Sequence, residues 1–404
     1  MIDKKEKSLV GKKEWVWVVA LIIFFTINMN NDWHSSSLLW YGCLMLVVIA
    51  YVLAFKGAFL LKFSPYFMWL ISFMFLGMFS ILWCLNIQVV IDVIKTLIVW
   101  VIMLLFIQFS LNMGFKFDTL LKAFLFATLI NAIYVILTID IAALGEVQLG
   151  ANMLEGWNGN GIGFMMAQGA IIGWYLLGQA KKAFSKLVLL LCVVFFAVLT
   201  MYTGSRTAFI MLIAEFVIYI CLKSPIKIVR NMLIVAAMLV LAFYVVMNVE
   251  SFYKVLGVRL EGLISLFTGK GSADSSAISR DLFIENGKIW FAENPIFGVG
   301  LNNYKVLNQV ATGRFTYSHN TFIELAVDLG IVGLIWYYSI YIYLTIIIFK
   351  HVKNKHIKAL LLSALIASLI SQYGTVSYYG FYQNLLLFLC FYAANKFKKG
   401  KGNI

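Results

Sequence analysis

Residues 181–227 read KKAFSKLVLLLCVVFFAVLTMYTGSRTAFIMLIAEFVIYICLKSPIK: two apolar runs, 184–202 and 207–222, joined by the short turn TGSR and flanked by lysines. A helix needs about 20 apolar residues to cross the hydrocarbon core of a bilayer. The pair therefore reads as two membrane spans with Arg206 at the turn between them. Further runs of the same kind lie at 15–29, 37–54, 66–86, 90–110, 119–143, 160–178, 231–248, 322–349, 359–376 and 381–395. Together they predict an all-α polytopic membrane protein of about twelve transmembrane helices.

Composition points the same way. Of 404 residues 62% are hydrophobic and 12% charged, where a soluble domain carries about 25% charged residues. The three prolines, Pro65, Pro225 and Pro295, fall in connections rather than inside runs. Cys43, Cys84, Cys192, Cys221 and Cys390 stand singly in apolar stretches and read as packing residues, with no metal-ligand spacing. Five lysines precede the run at 15–29, as in a signal peptide. No small-residue cleavage site follows, so that run is expected to be a retained first helix.

The net charge of +14 is distributed, not clustered for nucleic acid. With the N-terminus inside, the segments 1–13, 55–65, 111–122, 179–187, 222–230, 350–358 and 394–404 hold 23 of the 32 basic residues. The short outer loops hold one, Arg206. Cytoplasmic loops are enriched in Lys and Arg, so both termini are expected in the cytoplasm. Every even-numbered span then directs its N-terminus outward, where unpaired N–H groups and the positive dipole end favour anions.

This organisation divides the chain into an N-terminal membrane bundle at 1–248, an external segment at 249–320 and a C-terminal membrane part at 321–404. The segment between spans nine and ten is too short for a large core of its own and is expected to fold as a lid. Its residues 251–268 read as an amphipathic surface helix, 269–276 (GKGSADSS) as a flexible connection, 278–294 as a second helix, and 294–304 (NPIFGVGLNNY) as turns.

Four groups of residues carry chemical meaning. Arg206, in TGSRTAF (203–209), stands at an outward helix start and suits a diphosphate or carboxylate, or else an interfacial headgroup. In SHNTFIELAVDLGIVG (318–333), His319 precedes a helix N-terminus that disfavours its protonation, so a neutral imidazole could act as base or donor; a purely structural histidine is the plainer reading. Thr321 and Glu324 have capping-box spacing, Asp328 lies deeper, and Gly330 and Gly333 allow close helix contact. Arg280, with Arg259 and Arg314, places positive charge in the lid, though Asp281 beside Arg280 also fits a solvated surface. Asn158 and Asn160, in GWNGNGIGF (156–164), suit sugar or phosphate hydroxyls, and turn chemistry explains Asn-Gly equally well. No nucleotide loop, zinc motif or serine elbow is present. Glu215 and Lys95, within spans, invite a functional reading, but no pair of carboxylates is placed as in a proton relay.

The order of these features resembles the O-antigen ligase and polymerase superfamily of bacterial polysaccharide assembly. The resemblance rests on SRT at 205–207, the long segment 249–320, the pattern from Arg280 to Tyr304 (R-x6-IW-x-A-x2-NP-x-FGVGLNNY), and the His-Asn motif entering the next span. It covers 203–333. At GWNGNG the chain departs from the Pro-Asn pair common in that family. The resemblance implies a metal-independent, cofactor-free membrane glycosyltransferase on the outer face of the plasma membrane. Its donor would be an undecaprenyl-diphosphate-linked glycan of an O-antigen, capsule or exopolysaccharide. Arg206, Arg280 and His319 would be catalytic, and Asn160, Ser205, Arg259, Arg314, Asn320 and Glu324 would bind substrate. The lipid bilayer, a flippase and a chain-length regulator would be its partners. A repeat-unit polymerase is the first expectation, a ligase onto a lipid, protein or wall acceptor the second, and a transporter of the same lipid-linked repeat the third.

Overall fold

The computed structural model describes residues 13–29, 37–58, 64–139, 146, 158–224, 228–262 and 275–398. Among them every regular element is helical. The basic residues before Lys13 and after Lys398, and GKGSAD at 269–274, lie outside the described residues. Each apolar run has its helix: α1 (Glu14–Met29), α2 (Ser37–Phe55), α3 (Pro65–Phe79), α4 (Ile87–Asn112), α5 (Phe117–Thr138), α6 (Gly159–Gln179), α7 (Ala183–Tyr202), α8 (Arg206–Lys223) and α9 (Ile228–Asn248). The segment after α9 carries a short helix, Glu250–Phe252, that continues as a π-helical turn at Tyr253–Gly257, then α10 (Ser275–Glu293) and α11 (Tyr304–Thr312). Three more follow: α12 (Thr321–His351), α13 (Lys355–Gln372) and α14 (Phe381–Lys398). By length and composition, 7 helices among the described residues are able to cross a membrane: α3 (counted to Leu82), α4, α5, α6, α7, α9 and α12. α1 and α2 are apolar but shorter, and Arg206, Glu215 and Lys223 dilute α8. α11 had no counterpart in the apolar pattern, because its nine residues are amphipathic rather than continuously apolar.

Helix starts in an apolar medium need internal partners for their first N–H groups. Here side chains supply them. Asn86 accepts from the Gln88 N–H at 2.9 Å, and Asn354 from His356 at 3.0 Å. Between helices, polar contacts reach backbone carbonyls through long side chains: Trp100 Nε1 donates to Tyr379 at 2.8 Å, and Asn131 Nδ2 to Thr26 at 3.1 Å. The core around them is aromatic, with Phe24, Phe25, Trp100 and Phe381 in mutual edge and tilted contact. α8 lies against α13 and α6, and α6 against α7. Helices α7 and α9 bury only 22% and 17% of their apolar windows, the pattern of surfaces that face lipid.

One helix is interrupted. At Gly330 the backbone of α12 turns to φ 64°, ψ −163°. The break frees backbone groups in mid-helix, and residues 295–300 fill it. Val299 and Gly300 donate to the carbonyls of Val327 and Asp328 at 2.9 and 2.8 Å, while Ile331 and Val332 donate to Pro295 and Ile296 at 2.9 and 3.3 Å. Gly330 is thus not merely a helix-contact residue. A Cβ there would stand 2.2 Å from the Ile296 carbonyl oxygen. The NPIFGVGLNNY motif is the backbone complement of the DLGIVG motif.

Candidate functional site

Three helix N-termini meet at one end of the bundle. Asn158 caps α6 by accepting the Asn160 N–H at 2.9 Å, Ser205 caps α8 through Ala208 at 3.2 Å, and Asn320 caps α12 through Phe322 and Ile323 at 2.9 and 3.2 Å. Ser205 Oγ donates to Asn160 Oδ1 at 2.5 Å, and Asn160 Nδ2 donates to the Gly374 carbonyl at 3.2 Å. Thr321 Oγ1 donates to the Thr375 carbonyl at 2.8 Å. The turn at 373–377 therefore ties α6 to α12. Gly163 permits this approach, since a Cβ on it would fall 2.5 Å from that of Ala208.

His319 projects from the loop before α12. Its backbone is left-handed, φ 58°, a conformation that costs energy for a side-chain-bearing residue and persists where neighbours enforce it. They do so here. Ser318 donates its N–H to Glu324 Oε2 at 2.7 Å and its Oγ to the Asn320 carbonyl at 2.7 Å, and the Asn320 N–H returns to Ser318 Oγ at 3.1 Å. The expected capping box is thus replaced: Asn320 caps the helix, and Glu324 holds the loop. The His319 ring lies 4.3 Å from Tyr317 and parallel to Phe283 at 6.3 Å, centroid to centroid. Its Nδ1 is buried without a hydrogen-bond partner among the described residues. Burial, and then the nearby Arg280 guanidinium, push the imidazole down to about 4, so it is neutral at physiological pH.

Arg280, Arg314 and His319 line one cleft of about 430 Å³ together with Ser279, Phe283, Phe315 and Thr316. Arg280 and Phe283 share a face of α10 by their three-residue spacing. The helix is fixed against α12 by Phe283, Val299, Tyr304 and Val327, and by the Tyr304 hydroxyl donating to the Phe283 carbonyl at 2.6 Å. Two cations and one neutral imidazole around a small cleft make a receptor for a polyanion beside a proton acceptor.

Arg206 and Arg259 form a second basic group. Arg206 Nη1 lies 3.5 Å from the Arg259 carbonyl, and Arg259 Nη1 donates to Gly204 at 3.3 Å. Arg206 does not line the His319 cleft. The two groups are joined through Ser205, Asn160, the Asn158 amide donating to the Tyr317 hydroxyl at 3.3 Å, and His319 against Tyr317.

The amides of Asn160 and Asn320 and the hydroxyl of Ser205 are engaged in these internal bonds, which makes them braces of the arrangement. Sequence reasoning missed Tyr317, Phe283 and Lys305. Lys305 sits over the Phe315 ring, 5.2 Å to its centroid, and burial lowers its pKa against the opposing pull of Glu324 and Asp328. An aromatic next to SHN was the available signal for Tyr317; the other two depend on folding of 275–312.

Among known families, the model described as O-antigen ligase matches residues 191–338. That stretch runs from α7 into α12 and includes both arginine pairs, His319, Asn320 and Glu324; Asn160 lies outside it. A search of curated proteins returns no match.

Proposed function

We propose that this chain, which over residues 191–338 belongs to the O-antigen ligase and polymerase superfamily, transfers glycan from an undecaprenyl-diphosphate carrier to a lipid-linked repeat unit at the outer face of the plasma membrane. It is then a multi-pass enzyme of about twelve spans with cytoplasmic ends and the 249–320 segment outside. One observation carries the reading: Arg280, Arg314 and a neutral His319 line a single cleft, beside three gathered helix N-termini.

In the proposed step, the acceptor hydroxyl oxygen attacks the anomeric carbon and the glycosyl–phosphate bond breaks. The electron pair leaves with the carrier diphosphate. Arg280 and Arg314 in the cleft, with Arg206 and the helix ends beside it, stabilise that charge, a role preorganised donors fill well. The hydroxyl proton passes to His319. A base whose pKa is near 4 is weak; the negative charge of a bound diphosphate offsets the Arg280 charge and raises it, against the burial that lowers it most.

The family description, O-antigen ligase, favours a second reading, in which the acceptor is a lipid, protein or wall polymer. Polymerase stands first because no residue here identifies a special acceptor. The transporter reading is weaker. Transporters use interrupted helices to bind cargo, whereas residues 295–300 occupy the interruption at Gly330. Deleting the gene and complementing it tests the proposal. Surface polysaccharide should lose its long chains, and Arg206→Ala, Arg280→Ala and His319→Ala, at normal protein levels, should fail to restore them. Restoration by all three overturns the assignment.

A further inference from the structure

A second cavity, of about 370 Å³, lies inside the bundle next to the cleft. Its volume is within the ordinary range for small-molecule sites. Asn158 lines it and also donates to Tyr317, so it adjoins the His319 loop directly. The remaining lining mixes aromatic and uncharged polar groups, among them Trp100, Gln168, Ser371, Tyr379 and Tyr382, with aliphatic side chains such as Ile162 and Met211, and no described Asp, Glu, Lys or Arg borders it.

Its polar groups are under-used. Gln168, only 8% exposed, lines the cavity. The hydroxyls of Ser377 and Tyr382 are buried and unpartnered among the described residues. Buried amides and hydroxyls in folded proteins are normally satisfied. Unspent donors and acceptors beside aromatic rings suit a ligand that offers hydroxyls on its edges and C–H groups on its faces.

We infer that this cavity is a subsite for an uncharged sugar ring of the glycan. The ligand class rests on the glycan-transfer reading; the cavity and its neutrality do not. Burying a carboxylate here without a counter-charge is costly, so uronic acids should be rejected.

Gly161 supplies the test. It lines the cavity at an exposed position, and a Cβ on it meets nothing within 4 Å, so Gly161→Trp narrows the cavity mouth without a backbone clash. Gly42, whose Cβ also meets nothing within 4 Å and which lies outside the cavity, gives the matched control Gly42→Trp. Saturation-transfer NMR on the full chain in nanodiscs would use glucose, N-acetylglucosamine and glucuronate as probes. Transfer to a neutral sugar in wild type and in Gly42→Trp, reduced at least five-fold in Gly161→Trp and for glucuronate, is expected. No transfer in wild type, equal transfer in Gly161→Trp, or preference for glucuronate overturns the subsite. Because binding is read without turnover, failure of the transferase reading shows separately, as absence of polymerising activity in wild type.

Discussion

The Asp328 carboxyl accepts the backbone N–H of Asn302 at 2.7 Å, across 26 residues of sequence. It also accepts from the Tyr304 N–H at 2.8 Å and the Tyr378 hydroxyl at 3.2 Å. One buried side chain thus clamps the end of NPIFGVGLNNY to α12 and to the turn before α14. Asp328→Ala leaves two buried N–H donors unsatisfied, which should cost roughly 3 kcal/mol. Thermal unfolding in detergent reads this, and an unchanged midpoint would show that the clamp is not needed.

Gly330→Ala should also destabilise. The left-handed φ and the 2.2 Å approach to Ile296 predict a loss on the order of 1–3 kcal/mol or aggregation on expression. The same thermal scan checks it, and a wild-type midpoint would mean the interruption has another cause.

Arg280 should tolerate lysine poorly. A guanidinium offers a planar fork to phosphate that an ammonium lacks. Arg280→Ala is expected to slow transfer about a hundred- to a thousand-fold, and Arg280→Lys to recover only part of it, at unchanged melting temperature. Rates on the purified variants decide. Full recovery in the lysine variant would reduce Arg280 to a point charge.

His319 links stability to pH. Its folded value of about 4 lies below its ordinary 6.5, so between these pH values the unfolded chain binds a proton that the folded chain does not. Its contribution is complete above pH 6.5 and is lost as pH falls toward 4. The melting midpoint of wild type should therefore drop more steeply over this range than that of His319→Gln. Parallel curves for the two proteins would contradict the buried, neutral imidazole.

Much of this was legible in the chain itself. Continuous apolar runs have one reading in lipid, and every one of them holds a helix. Motif order places Arg206, Arg280 and His319 at one site; Arg280 and His319 share a cleft, and Arg206 lies outside it. What the residues did not reveal was who spends whose hydrogen bonds. In sequence Asn160 suits a contact for sugar or phosphate, but Ser205 and the Gly374 carbonyl take its amide. Gly330 read as a small contact residue because spacing cannot distinguish a glycine that packs from one that breaks a helix. Both depend on partners distant in sequence.

The most direct measurement uses the purified protein in nanodiscs with the lipid-linked repeat of its own cell. One undecaprenyl diphosphate should be released for each repeat unit added to the lipid-linked glycan. Both should fall at least about a hundred-fold in Arg280→Ala and in His319→Ala. Wild-type rates in those variants, or movement of the repeat across the bilayer with no diphosphate released, would contradict the account.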